Sequence, residues 1–68
     1  MALRISVLRK ALGWSQSKLA RETELNVSTV NQIELGRSTG YPVQLAKIAK
    51  ALGLPEADKD SLLEEVAG

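Results

Sequence analysis

A chain of 68 residues with nine Lys/Arg, eight Asp/Glu and a formal charge of +1 bounds one small domain, whose thin core supplies about 3–5 kcal/mol of net stability. It contains no cysteine and no histidine, which excludes disulfides, thiolate chemistry and the usual zinc sites, and no apolar run approaches a membrane span. The charge is uneven: residues 1–54 hold eight bases against three acids (+5), and residues 55–68 one base against five acids (−4).

The apolar spacing predicts five helices, no strand and an all-α bundle with short loops, residues 1–68 forming a single domain. The first helix runs from Leu3 to Leu12, with Ile5, Leu8 and Leu12 on one face, and ends at Gly13. The first 21 residues are basic and lack any acid, as transit peptides do, but their spacing reads as the first helix of the domain. Trp14 follows as an apolar plug. Ser15 caps a second helix, Gln16 to about Thr23, and Asn26 opens a third that Gly36 closes near residue 35. Arg37 to Tyr41 is a polar loop. Pro42 fits the first position of the fourth helix, which continues to Leu52 with Leu45, Ile48, Ala49 and Leu52 as its buried stripe. Gly53 ends it. Pro55 and Asp58 then set up a fifth helix carrying Leu62, Leu63 and Val66.

The second and third helices carry the functional signal. Each has a good N-cap and one apolar face, Leu19 and Ala20 on one and Val30 and Ile33 on the other. The small side chain of Ala20 lets the two cross closely. That is the organisation of a helix-turn-helix, whose second helix projects into a DNA major groove. With Val30 and Ile33 facing inward, Ser28, Asn31, Gln32 and Leu35 face outward and Val27 sits at the shoulder. Gln and Asn bond bidentately to adenine, Ser reaches several base edges, and Val27 suits a thymine methyl. Base readout is therefore expected from Val27, Ser28, Asn31 and Gln32. Gln16, at the positive end of the second helix, and Arg37, Ser38 and Thr39, just beyond the third, are candidate phosphate contacts; the Gln16 carboxamide has packing on the third helix as its alternative. A basic body with an acidic C-terminal segment suits a polyanion on one side only.

These residues resemble a known family. Leu8-Arg9, Gly13-Trp14-Ser15-Gln16, Leu19-Ala20, Asn26, Thr29-Val30 and Ile33-Glu34-Leu35-Gly36-Arg37 are similar to the Cro and phage-repressor (Xre-type) DNA-binding domains. The run Leu45 to Leu54 is similar to that family's fourth helix, so the resemblance covers about residues 3–54. It implies a five-helix, lambda-repressor-like bundle that binds operator DNA as a two-fold dimer. It implies DNA contact at Gln16, Val27, Ser28 and Gln32, and a partly buried ion pair between Arg9 and Glu34. The chain departs from the family at Glu24, where Gly is usual in the turn, and at Leu35, where a polar residue is usual. Beyond Leu54 the family varies. The segment 55–68 is expected to cover the core, to make a dimer contact through Leu62, Leu63 and Val66, or to do both.

The leading functional expectation is a transcriptional regulator, most simply a repressor, that binds an inverted repeat in double-stranded DNA as a homodimer. It would block RNA polymerase, or touch it at a site just upstream, in the cytoplasm of a bacterium or as a phage-encoded protein. The alternative is a protein-interaction module of antitoxin or adaptor type, in which the third helix grips a protein. No cofactor or metal is expected. Without His, Cys, clustered carboxylates at metal spacing or a Gly-rich phosphate loop, the sequence carries no enzyme signature.

Overall fold

The structure, a computed structural model, describes residues 2–66. Four α-helices follow one another: α1 (Arg4–Ala11), α2 (Gln16–Thr23), α3 (Val27–Glu34) and α4 (Pro42–Ala51). A 3-10 helix (Glu56–Leu63) comes next. Strands β1 (Ala2–Leu3) and β2 (Glu65–Val66) pair antiparallel, Ala2 opposite Val66 and Leu3 opposite Glu65, and so join the two ends of the described chain.

Local chemistry sets the helix boundaries. Ser15 is extended and its side chain accepts a hydrogen bond from the Lys18 N–H at 3.0 Å, an N-cap for α2. Asn26 occupies the same position before α3, but its side chain makes no capping bond. Its carbonyl instead takes the Thr29 and Val30 N–H groups at 3.0 and 3.2 Å. Before α4, Gln44 reaches back so that its Oε1 accepts the Tyr41 N–H at 3.0 Å. Pro42 at the first helical position gives up no hydrogen bond, because that N–H has no partner within a helix.

The core contains Ile5 from α1, Leu19 and Ala20 from α2, Val30 and Ile33 from α3, and Leu45, Ile48, Ala49 and Leu52 from α4, with Leu62 beneath them. The expected stripes of α2, α3 and α4 are all buried. The face of α1 differs from expectation: Leu8 is only half-buried and Leu12 is 49% exposed, while Ser6 and Arg9 are buried beside Ile5. Spacing of apolar residues predicts this face wrongly because two polar side chains find a buried partner on α3.

The C-terminal segment also departs from expectation. It forms a 3-10 rather than an α-helix, buries only Leu62, turns extended at Glu64, and places Val66 in a strand. Glu56, Asp58 and Asp60 lie within five residues of one another, and one buried leucine gives too little packing to sustain α-helical turns. The expectation of a strandless fold fails for a related reason. The extended Leu3 and Glu64 leave backbone groups that pair across the two ends, and the Arg4 N–H continues the pairing to the Glu64 carbonyl at 2.8 Å.

The turn between α2 and α3 passes through Glu24 at φ 58° and ψ 32°, the only non-glycine residue with positive φ among the described residues. The Leu25 N–H bonds the Ala20 carbonyl at 2.9 Å, closing α2 and aiming the chain into α3. A left-handed conformation costs a side chain about 1–2 kcal/mol, whereas glycine loses about 0.5–1 kcal/mol more backbone entropy on folding. Glu24→Gly is therefore expected to stabilise the fold by about 0.5–1 kcal/mol, raising the melting midpoint by roughly 2–8 °C. A midpoint that stays or falls in calorimetry would show that the turn carries no strain.

Candidate nucleic-acid interface

The α2–turn–α3 unit stands on a polar cluster that ties three helices together. Arg9 Nε donates to Glu34 Oε2 at 2.7 Å and Arg9 Nη2 to Glu34 Oε1 at 3.0 Å. Ser6 Oγ donates to the same Oε1 at 2.6 Å, and Gln16 Nε2 lies 3.3 Å from it. The remaining arm of Arg9, Nη1, donates to the Trp14 carbonyl at 2.7 Å. The side chains of Arg9 and Glu34 are 10% and 5% exposed, so the pair expected from the resemblance is well removed from solvent. Burial alone pushes the Glu34 carboxyl up. Hydrogen bonds from Arg9, Ser6 and Gln16, with the charge of Arg9, outweigh that effect and hold it below the usual 4.5.

This cluster fixes which face of α3 meets solvent. Val27 and Ser28 are exposed, and Gln32 is half-buried along the same side. Asn31 is half-buried as well, and its Oδ1 accepts from Gln16 Nε2 at 3.3 Å. Leu35, at the end of the helix, is 56% exposed, as the helical wheel expects. Arg37 is exposed and without a salt bridge among the described residues. Ser38 Oγ accepts the Gly40 N–H at 3.1 Å, shaping the loop that carries Thr39. Gly40 is required there: at φ +71° a Cβ would lie 3.0 Å from Ile33 Cδ1.

An open groove of about 390 Å³ runs between α3 and this loop. Ser28, Thr29 and Gln32 form one wall, and Ser38, Thr39 and Tyr41 the other. Sequence reasoning placed Ser28, Gln32, Ser38 and Thr39 near DNA but missed that they share one groove, and it missed Thr29 and Tyr41 altogether. The signal available was the hydroxyl density on both sides of Gly36. It also missed Ser6, whose position three residues before Arg9 puts both on one face of α1. Of the residues considered for a dimer contact, Leu62 is fully buried within its own core, while Leu63 and Val66 are half-buried at the edge.

A family model described as a helix-turn-helix domain matches residues 1–62. The chain belongs to this helix-turn-helix family, that of the Xre-type and Cro-like domains. The matched span contains every residue on which the resemblance rests, together with the 3-10 helix up to Leu62. No curated protein and no solved structure matches the chain significantly. As a helix-turn-helix domain the protein is a DNA-binding unit. Among the described residues no helix is long and apolar enough to cross a membrane.

Glu34 generates a test of the cluster. Removing one partner of a buried pair costs about 3–5 kcal/mol, comparable with the whole net stability of a domain this size. Glu34→Gln is expected to melt far below the parent protein, and an unchanged midpoint would mean that the pair carries no stability. A second expectation concerns pH. Folding lowers the carboxyl below 4.5, so its stabilisation is present above that value and disappears as pH falls through the folded value. The melting midpoint of the parent should therefore drop on acidification below about pH 4.5, and that of Glu34→Gln should drop less steeply.

Proposed function

We propose that the protein is a sequence-specific transcriptional regulator that binds an inverted-repeat operator as a homodimer and represses by occupancy. The observation that carries this reading is the outer face of α3. There Val27 and Ser28 are exposed and Gln32 half-buried on the side away from Val30 and Ile33, flanked by the hydroxyl-lined groove and by Arg37, which has no salt bridge among the described residues. Val27 serves a thymine methyl, and Ser28 and Gln32 serve base-edge donors and acceptors in the major groove. Arg37, Ser38 and Thr39 meet the sugar–phosphate strand beside them, positioning the protein without reading sequence.

Two-fold symmetry places the half-sites one helical turn apart, roughly 10–10.5 base pairs centre to centre. Leu63 and Val66 supply the apolar part of the subunit contact, and Leu62 supports them from the core. The acidic residues around them keep this edge off DNA and leave the basic body to face it. On this reading the protein works in the cytoplasm of a bacterium or of a phage-infected cell. A site overlapping a promoter excludes RNA polymerase, and one just upstream brings the two into contact. The exposed Tyr41 (72%), Val43 (63%) and Leu35 favour the second reading, a module that uses this face to hold another protein.

Selection from a random-sequence duplex library at near-physiological salt separates the two. Enrichment of an inverted repeat with half-sites one turn apart is expected. Retention that is unselective and collapses as salt rises would replace the regulator with the protein-binding module. On the enriched site, Gln32→Ala should cost about 1–3 kcal/mol and relax preference at one position. Arg37→Ala should weaken all duplexes alike and flatten the salt dependence. Identical behaviour of the two variants in a titration would remove base readout from α3.

A further inference from the structure

The outer face of α4 has no partner within the fold and one sign of charge. Val43, Ala46, Lys47 and Lys50 recur at the spacing that keeps them on one side of the helix, opposite the buried Leu45, Ile48, Ala49 and Leu52. Val43 is 63% exposed and Ala46 half-buried, while both lysines are exposed and without a salt bridge among the described residues. No acidic residue lies on α4. The closest packing between any two elements is that of the 3-10 helix on α4, and the 3-10 helix has the opposite character. Its Glu56, Asp58 and Asp60 are exposed and equally without a salt bridge, and Lys59 between the last two is half-buried.

Patches of opposite charge thus lie on neighbouring elements, yet no ion pair joins them among the described residues. Patches so arranged complement their own image. A two-fold axis between them brings the positive patch of each copy against the negative patch of the other. A phosphate strand approaching Lys47 and Lys50 would meet the neighbouring acids as well, so this surface suits DNA poorly. We propose that it is the charged part of a two-fold contact between two copies of the chain, in which Lys47 and Lys50 of each copy meet Glu56, Asp58 and Asp60 of the other. Because one chain supplies both signs side by side, a second copy satisfies the surface without any other partner. Exposed pairs contribute little singly, but they select orientation, since any docking that set lysines against lysines is repelled. Orienting the copies in turn sets the separation of their α3 helices and hence of the half-sites. The inference rests on the homodimer reading above and adds charged partners to the apolar contact of Leu63 and Val66.

The test is equilibrium sedimentation of the full chain beside two charge-reversed variants. One carries Lys47→Glu and Lys50→Glu, the other Glu56→Lys, Asp58→Lys and Asp60→Lys, and melting curves verify that each is folded. Each variant alone is expected to dimerise about ten- to a hundredfold more weakly than the parent. An equimolar mixture of the two is expected to recover the parent's affinity, because both contacts of the mixed dimer again join opposite charges. The parent dimer should also weaken as salt rises. If the free chain is single, the same comparisons are read from the cooperativity with which two copies fill the enriched duplex. Variants that associate like the parent, or a mixture no tighter than either variant alone, would overturn the pairing and leave the dimer to its apolar residues. Should the acid-reversed variant fail to fold, an undiminished affinity in the lysine-reversed one, or a parent dimer indifferent to salt, overturns it equally. A parent that stays single when free and fills the duplex without cooperativity would instead remove the homodimer itself.

Discussion

Glu34 brings a negative charge into a nearly dry corner of a chain that has little apolar surface to spend on holding itself together, and α1, α2 and α3 all meet at that carboxylate. Ser6 and Arg9 approach it from α1 and Gln16 from α2, while the carboxylate itself ends α3. The closest packing of α1 is with the 3-10 helix and the two strands. Its link to the helix-turn-helix therefore runs largely through hydrogen bonds. A buried ion pair is not an efficient source of stability, since well-packed apolar groups of the same volume often do as well. What it supplies here is direction. An oily contact tolerates rotation of one helix on another, whereas a carboxylate with three donors fixes both angle and register.

The parts of the fold written in apolar spacing were legible in the sequence. Leu19, Ala20, Val30, Ile33, Leu45, Ile48, Ala49 and Leu52 all lie in the core, and Ser15 and Pro42 mark the starts of their helices. The failures share a cause. On α1 the inward face includes Ser6 and Arg9, whose partner lies up to 28 residues away in sequence; apolar spacing does not show it, and only the family resemblance paired Arg9 with Glu34. At the C-terminal end the leucines suggested an α-helix; the 3-10 helix does pack on α4 and α1, but the chain beyond it is held by backbone pairings with residues 2–4, which leave no trace in side-chain periodicity. Asn26 is a related case: its type suits a cap, and its backbone carbonyl performs the task instead.

The candidate interface was legible to a similar depth. Helical geometry alone places Val27, Ser28 and Gln32 on the outer side of α3, because Val30 and Ile33 define the inner one. Geometry of that kind treats each side chain as free: it turned Asn31 toward the bases and left Gln16 between a phosphate and a packing place on α3. It did not show that Asn31 Oδ1 and Glu34 Oε1 both lie 3.3 Å from the Gln16 amide nitrogen. Nor could it bring the loop hydroxyls of Ser38 and Thr39 round to the helix. That placement depends on the turn at Gly36 and on the close approach of Gly40 to Ile33.

The pairing of Ala2 and Leu3 with Val66 and Glu65 makes the backbone a nearly closed ring. Ends of small domains ordinarily fray one at a time, but here release of either strand also strips the other of its partner. The two extremities consequently share a single local opening equilibrium. Because the two strands lie side by side, a cross-link between Leu3 and Glu65 would close nearly the whole described chain into one loop. In the chain-entropy description, restraining a loop of this length is worth about 4 kcal/mol. Such a link would therefore add roughly as much stability as the core of so small a domain provides, and leave the outer face of α3 untouched.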